Sequence, residues 1–420
     1  MKITFLLNGV QRQEEVEPRE RADAFLRRLG VLSIRNGCNG EGTCGACAVR
    51  FDGRLVNSCI LLAAQLDGHQ VCTVEFYSKH RTLSAIQSAL VDIGVVQCGY
   101  CSAALICAIE ELLEAHPDPS DEEIRDALSG IFCRCTGYQQ FYKAIKLAAK
   151  RRSDPHFICE FAPAFGEDTR LVGKPARKID AGKLVRGQKA YVEDMVEPGA
   201  CVLYMLRSPH AHAYIKSIDT AAALEVPGVV YILTCENSPT IHYNQAGQGF
   251  PEPSPYDRQL IGRKVRDRVA AIVAENMDAA QAAAAKIKVE YEVLPHVLTV
   301  DEAKAPGAPI VHKAKVSYVV GAPDNLEEYN QKADPRDGEV IYQFPIHGDP
   351  HRNLAASVHS GIGDIEKGFA EADAIVDEWY DCCQIQCTPV EPHVVYTRMD
   401  GDRLVIHAST QVPWHLRRIV

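Results

Sequence analysis

Cysteine is distributed unevenly along this chain of 420 residues, because ten of its 16 cysteines lie within the first 135 residues. Disulfides are rare in the reducing cytosol, where so dense a set of thiols more often serves metal binding or redox chemistry. The first residues lack the length and the small-residue cleavage site of a secretory signal peptide. The sequence therefore predicts a cytoplasmic protein whose N-terminal part folds around metal-binding or redox-active thiols.

The first group of four cysteines surrounds a glycine-rich loop, in GCNGEGTCGAC and the later VNSC. Its members are Cys38, Cys44, Cys47 and Cys59. Glycine allows positive φ, so the backbone can turn its N–H groups toward a negatively charged cluster. The spacing is one residue longer than the plant-type ferredoxin pattern. We expect a [2Fe–2S] cluster here; the alternatives are a structural zinc site, which usually pairs two short Cys-x-x-Cys hairpins, or scattered buried thiols.

The second group of four cysteines occurs in two short motifs, QCGYC and FCRC, within a region of helical periodicity. Its members are Cys98, Cys101, Cys133 and Cys135. Two pairs at helix ends can converge at one end of a bundle, which favours a second [2Fe–2S] cluster with four thiolates. A thioredoxin-type dithiol is the alternative for CGYC, but it requires a βαβ context and leaves FCRC unexplained.

Hydrophobic periodicity divides the chain into pieces of different character and predicts a multidomain α+β protein. Short strands with one helix across them indicate a β-grasp ferredoxin-like domain, and four helices indicate a compact bundle. The expected pieces are a β-grasp domain at 1–76, a helical domain at 77–152, a linker at 153–180, an α+β region from 181 to 310, and a connection leading to further strands at 311–420.

Charge and hydropathy argue against two classes of partner. The net charge is −10, whereas proteins that bind nucleic acid concentrate positive charge. No stretch of 18 apolar residues occurs, so the sequence predicts no membrane-spanning helix. We expect neither nucleic acid nor a membrane as a partner.

Several motifs together resemble the molybdenum hydroxylases, the xanthine dehydrogenase and aldehyde oxidoreductase family. GEGTCGAC with VNSC resembles the family's plant-type ferredoxin domain, and QCGYC with CRCTGY resembles its helical [2Fe–2S] domain. LRSPHAHAYIKSIDTAAALEVPGVV resembles the α/β hammerhead domain, and VEPHVVYTRMDGDRLVIHASTQVPWHLRR resembles the start of the molybdopterin-binding domain. Within the family, the chain looks most like bacterial, selenium-associated purine hydroxylases, which lack an intervening flavin domain.

The resemblance implies roles for individual residues. Cys38, Cys44, Cys47 and Cys59 would hold the outer cluster, and Cys98, Cys101, Cys133 and Cys135 the cluster nearer molybdenum. Gln97 and Cys135 would lie beside the pterin, and Gln411 would point its amide at an oxo ligand of the metal. Cys387 stands where many relatives have histidine.

The resemblance also implies a reaction and its partners. A purine would be oxidised at a molybdopterin cofactor, and electrons would pass through both clusters to a flavin subunit or another acceptor. The family's GGGFG segment and catalytic glutamate are not found up to Val420, so we expect the chain to work with the remainder of the molybdopterin subunit and to lack hydroxylase activity alone. The alternatives are a stand-alone iron–sulfur electron-transfer subunit and an inactive truncated product.

Overall fold

The computed structural model describes residues 1–78, 82–154, 157, 176–244, 255–265, 267–322, 324–342, 349, 352–355, 357 and 360–420. These residues belong to two compact units. The first unit comprises Met1–Val196 and Asp381–Ser409, and the second comprises Glu197–Tyr380 and Thr410–Val420. Most of the predicted linker at 153–180 lies outside the described residues. None of the helices in these ranges has the length and apolar character that a bilayer crossing requires.

The first unit begins with a five-stranded mixed sheet and one helix packed on it. Its elements are β1 (Lys2–Leu7), β2 (Val10–Glu15), α1 (Ala22–Arg28), β3 (Ala48–Phe51), β4 (Arg54–Asn57) and β5 (Gln70–Cys72). The strand order is β2-β1-β5-β3-β4, with β1 and β5 parallel and the other neighbours antiparallel. Phe5 of β1 and Phe25 of α1 meet in the core with ring centroids 5.7 Å apart. This arrangement confirms the predicted β-grasp fold.

Local sequence features predict some elements of this sheet and miss others. Asp52 and Gly53 both have positive φ, which suits the tight hairpin turn between β3 and β4 that the sequence predicts. The alternating residues of QVCTVEF predict one strand, but this prediction is wrong in its second half, because Val74–Tyr77 form the short helix α2. Strand β2 is polar along its length and lies at the sheet edge, so it has no hydrophobic alternation to reveal it.

Four further helices form the predicted bundle. They are α3 (Ala85–Ile93), α4 (Ser102–Ala115), α5 (Asp121–Leu128) and α6 (Gln139–Ser153). Ser120 accepts a hydrogen bond from the Glu123 N–H, so the predicted capping box begins α5. The bundle core contains fully buried Leu90, Leu105 and Ile145. Cys101 is the N-cap of α4, whereas Cys133 and Cys135 lie in the loop before α6 and do not open that helix.

The rest of the first unit is α7 (Ala181–Leu184) and a hairpin of β14 (Val395–Asp400) and β15 (Arg403–Ala408). Gly401 and Asp402 form its turn, as predicted. The apolar residues of AIVDEWYDC predict a strand, but this prediction is wrong, because residues 374–382 form no regular element. Trp379 is 92% exposed, so these apolar side chains have neither a sheet neighbour nor a covered face that would hold a strand.

The second unit contains two three-stranded antiparallel sheets, in the orders β6-β10-β8 and β11-β7-β9. Their elements are β6 (Val202–Arg207), β7 (Ala213–Asp219), α8 (Ala221–Leu224), β8 (Val229–Thr234), β9 (Lys264–Val265), β10 (Arg268–Ala274), α9 (Met277–Ala284) and β11 (Lys288–Val293). The predicted alanine-rich helix is α9, whose Ala280 and Ala283 pack against Ile272 of the first sheet. Alanine's small side chain lets helix and sheet approach closely.

The remaining elements of the second unit are short. They are α10 (Val300–Lys304), β12 (Lys315–Tyr318), α11 (Leu326–Gln331), β13 (Glu339–Tyr342), α12 (Ile365–Glu371) and α13 (Pro413–Ile419). The Pro-, Gly- and Asp-rich residues 305–345 predict an irregular connection, but strands β12 and β13 pair in parallel within them. The segment DIEKGFAEA predicts a helix, and α12 confirms it. The protein is thus a multidomain α+β protein, as its sequence predicts.

Candidate functional site

The first cysteine group comes together in pairs around the glycine-rich loop. The Cys44 side chain hydrogen-bonds the Cys38 sulfur, and Cys47 contacts Cys59 in the same way. Gly40, Gly42 and Gly45 all have positive φ, so the backbone curls around the sulfurs as predicted. Backbone N–H groups of Thr43 and Cys44 then point at Cys38. Such inward N–H dipoles stabilise thiolates and the negative charge of an iron–sulfur cluster.

The surroundings of these thiols shift their pKa values in opposite directions. Burial by itself would raise the pKa of Cys38. The hydrogen bonds that its sulfur accepts from backbone N–H groups have the larger combined effect and lower this pKa to about 6. Burial raises the pKa of Cys47 to about 12, and its contact with Cys59 adds to the shift. Cys38 is therefore ready to act as a thiolate, whereas Cys47 releases its proton only to a strong competitor such as iron.

The second cysteine group also forms two pairs, each joining one thiol of QCGYC to one of FCRC. The Cys98 and Cys135 sulfurs are 3.4 Å apart, and Cys101 hydrogen-bonds Cys133. The Cys101 contact is the main reason why the pKa of Cys133 falls to about 5. The same contact, followed by burial, raises the pKa of Cys101 well above its usual value.

The pairing pattern fits a two-iron cluster. Across the described ranges, no group of three or more His, Cys, Asp or Glu side chains is arranged to hold one metal ion. A [2Fe–2S] cluster places two ligands on each of two irons, so it requires two pairs of thiols and no tetrahedral set around one point. Both cysteine groups supply such pairs.

The two cysteine loops touch one another through the backbone. The Phe132 N–H, next to Cys133, donates a hydrogen bond to the Cys44 carbonyl oxygen at 2.9 Å. Gly45 lies so close to the helical domain that an added Cβ would be 2.2 Å from the Gly130 carbonyl oxygen. The glycine at position 45 is therefore required both by its positive φ and by this close approach.

A buried charge cluster lies beside the same two loops. Arg35 is 2% exposed and pairs with Asp194 at 2.5 Å and with Glu193 at 3.0 Å. Its guanidinium lies 4.3 Å from the centre of the Tyr191 ring and 5.8 Å from that of Tyr100. Burial alone would raise the pKa of Asp194, but the Arg35 hydrogen bond lowers it, so Asp194 is ionised at neutral pH.

Tyrosine hydroxyls connect this charge cluster to both cysteine loops. The Tyr100 hydroxyl accepts from the Asn36 N–H at 3.2 Å and donates to Glu193 Oε2 at 3.2 Å. The Tyr191 hydroxyl donates to the Cys98 carbonyl oxygen at 2.8 Å. Burial raises the pKa of both tyrosines, so both hydroxyls keep their protons and can donate.

Sequence reasoning missed this charge cluster. Arg35 lies just before Cys38 in SIRNGC, and Tyr100 lies inside QCGYC. This closeness to the cysteines is the sequence feature that could have indicated both residues. Glu193 and Asp194 lie more than 150 residues from Arg35, in YVEDM. Only the folded chain brings these carboxylates to the arginine.

The residues expected near a pterin are on the surface. Gln97, Cys135 and Gln411 are all exposed. Cys135 reaches its partner Cys98, while Gln411 belongs to the second unit and precedes α13. Next to Cys135, Arg134 donates to the Cys387 carbonyl oxygen at 3.0 Å, so Cys387 presents its backbone to this loop. The pterin contacts of the three exposed residues stay predictions.

Four protein-family models match successive parts of the chain. The matches are a 2Fe-2S iron-sulfur cluster binding domain at residues 5–74, a [2Fe-2S] binding domain at 73–146, the aldehyde oxidase and xanthine dehydrogenase a/b hammerhead domain at 186–295, and a molybdopterin cofactor-binding domain at 346–420. The chain therefore carries two [2Fe–2S] domains and a molybdopterin-binding region. The boundaries 76/77, 152/153, 180/181 and 310/311 stay predictions.

Individual proteins and a solved structure show the same similarity. The chain is 48% identical to the probable hypoxanthine oxidase XdhD of Escherichia coli (strain K12), over 100% of this chain and 44% of that protein. It is 41% identical to the nicotinate dehydrogenase small FeS subunit of Eubacterium barkeri, over 36% of this chain and 95% of that subunit. The aldehyde oxidoreductase structure from Desulfovibrio gigas matches with a TM-score of 0.66 and 30% identity, over 74% of this chain and 36% of that one.

Proposed function

The chain belongs to the aldehyde oxidase and xanthine dehydrogenase family of molybdenum hydroxylases, and we propose that it forms the iron–sulfur and N-terminal molybdopterin part of a purine-oxidising enzyme. One observation carries the proposal: two sets of paired thiols lie side by side in one folded unit. A hypoxanthine or xanthine substrate is supported by the 48% identity to a probable hypoxanthine oxidase, of which the chain spans less than half.

The cysteine groups have separate roles in this proposal. The outer cluster is held by Cys38, Cys44, Cys47 and Cys59, and the inner cluster by Cys98, Cys101, Cys133 and Cys135. The positive-φ glycines of the first loop turn N–H groups toward the outer sulfurs, while α4 presents Cys101 at its N-cap. The outer group is shared between two hydrophobic cores, because Cys47 and Cys59 are buried in the β-grasp core and Cys44 packs with the core of the helical bundle.

The cofactors supply chemistry that side chains lack. Bound molybdopterin would provide the chemistry that oxidises the purine. The iron–sulfur clusters would carry the resulting electrons one at a time. The exposed Gln97 and Gln411 would each offer an amide group for hydrogen bonds to the bound cofactor. Arg134 holds the segment around Cys387 against the inner cysteine loop, which orders the protein surface next to Cys135.

The proposal includes partners and a location. The remainder of the molybdopterin subunit, which the longer relatives carry, completes the active site in cis or in trans. A flavin subunit or another acceptor takes electrons from the outer cluster. A cytoplasmic location agrees with cysteines kept reduced for iron.

A second candidate is a stand-alone iron–sulfur electron-transfer subunit. The specific support is the 41% identity to a small FeS subunit that is matched over 95% of its length. Under this alternative, residues beyond the helical domain would serve docking to a partner and would not bind a pterin.

Elemental analysis of anaerobically purified protein tests the proposal. Two clusters require about four irons and four acid-labile sulfides per chain. Zinc at the cysteine sites in place of iron and sulfide would overturn the proposal. Release of a fluorescent pterin after denaturation, from a complex with the remaining molybdopterin region, separates the first candidate from the second.

A further inference from the structure

We propose that Tyr100 is a positioning residue that couples the two cluster sites, by holding one buried charge cluster against both cysteine loops. The inference rests on the proposed function, since both cysteine groups have to bind clusters. It goes beyond that function because it concerns the reduction potentials of the two clusters. One side chain that does not bind iron influences both of them.

The position of Tyr100 within the chain is the first argument. It lies between Cys98 and Cys101 of the inner group, so its backbone belongs to the inner loop. Its side chain is fully buried, and its hydroxyl accepts from the Asn36 N–H, two residues before Cys38 of the outer group. A single phenol ring therefore spans from one cysteine loop to the other.

The charges around the hydroxyl are the second argument. Tyr100 donates to Glu193, and Glu193 shares Arg35 with Asp194. Arg27 also contacts both carboxylates, at 3.6 Å and 3.1 Å, so two cations face two anions. Charges in a poorly solvated interior act over longer distances than charges in water. A cluster potential follows nearby charge and hydrogen bonding, so a change in this balance reaches both sites.

The backbone contact between the loops does not replace this role. Phe132 donates to the Cys44 carbonyl oxygen whether or not the tyrosine hydroxyl is present. Substitution of Tyr100 by phenylalanine keeps the ring in the core and removes only the oxygen. Asn36 then loses its acceptor, and Glu193 loses a donor while keeping its charge. The negative potential at both loops increases, which disfavours the added electron.

Two other tyrosines provide matched controls. The Tyr138 hydroxyl accepts from the Cys133 N–H at 2.7 Å and donates to the Ile131 carbonyl oxygen at 2.9 Å, so it contacts the inner loop alone. The Tyr77 hydroxyl accepts from Arg50 at 3.0 Å, and within the described residues it makes no hydrogen bond to either cysteine loop. Each substitution to phenylalanine removes one partly buried hydroxyl from the same unit.

The experiment is an anaerobic redox titration of the full chain, followed by electron paramagnetic resonance of each cluster. We expect Tyr100→Phe to shift both midpoint potentials downward and to alter the magnetic interaction between the reduced clusters. Tyr138→Phe should shift the inner potential alone, and Tyr77→Phe should shift neither. A Tyr100→Phe protein with both clusters and two unchanged potentials, or with only one shifted, would overturn the proposal.

Cluster content separates this test from that of the proposed function. If the unsubstituted chain holds no iron–sulfur cluster, the proposed function fails and this inference fails with it. If Tyr100→Phe does not retain its clusters, Glu193→Gln replaces it, because that variant keeps the side-chain shape and removes the negative charge. Both potentials should then rise together, and an unchanged pair of potentials in Glu193→Gln would overturn the inference.

Discussion

The sulfur atoms of Cys98 and Cys135 lie 3.4 Å apart, although 37 residues separate them in the chain. Cys101 and Cys133 form the second contact of the same group. Each contact therefore joins one thiol from QCGYC to one from FCRC, and neither motif holds a complete pair by itself. A dithiol within CGYC, the thioredoxin-type alternative, is not the contact that the fold makes.

Cys133→Ser should remove the inner cluster and leave the outer cluster intact. The two groups share no cysteine, and Cys47 and Cys59 are buried in the β-grasp core, whereas Cys133 lies in the bundle core, so we expect the outer site to stay folded when the inner one is lost. Electron paramagnetic resonance of the reduced protein, with iron analysis, should show one remaining signal and about half of the iron. Cys47→Ser is the reciprocal variant, and loss of both signals in a folded Cys133→Ser protein would contradict the ligand assignment.

Arg35→Gln should destabilise the first unit substantially. Removal of one partner from a buried ion pair leaves an uncompensated charge and costs about 3 kcal/mol, the lower end of the usual range, because Arg27 still contacts Asp194. The measurement is urea unfolding followed by circular dichroism. The double variant Arg35→Gln with Asp194→Asn removes both charges, so it should recover part of the loss. Equal destabilisation in the single and double variants would show that packing, and not charge, dominates.

The low pKa of Asp194 predicts a specific dependence of stability on pH. Burial would raise this pKa, but Arg35 and two backbone N–H groups lower it below its unfolded value of about 3.9. Its contribution is therefore fully present above that value and is lost as pH falls through the lower, folded pKa. Asp194→Asn should be less stable than the unsubstituted chain at pH 6, and this difference should shrink in unfolding curves recorded toward pH 3.

Sequence reasoning succeeded where chemistry is local and failed where it is not. The capping box at Ser120 and the turn at Asp52 and Gly53 depend on neighbouring residues, and the structure confirms both. The cysteine spacing indicated two groups, but it could not indicate which thiols meet, because that depends on how α4 and the loop before α6 converge. The contact of Arg35 with Asp194 requires the folded chain, since no periodicity links residues 159 positions apart.

Gly45→Ala should disrupt the contact between the two cysteine loops, whereas Gly68→Ala should not. Both glycines have positive φ, at 69° and 77°, so alanine imposes a similar backbone cost of about 1–2 kcal/mol at either position. Only at Gly45 would the new Cβ also collide with backbone, 2.2 Å from the Gly130 carbonyl oxygen; at Gly68 nothing lies within 4 Å. Gly45→Ala should therefore lose more stability in urea than Gly68→Ala and weaken the magnetic interaction between the reduced clusters. Similar losses in both variants, with the interaction unchanged, would show that the close approach at Gly45 is not required.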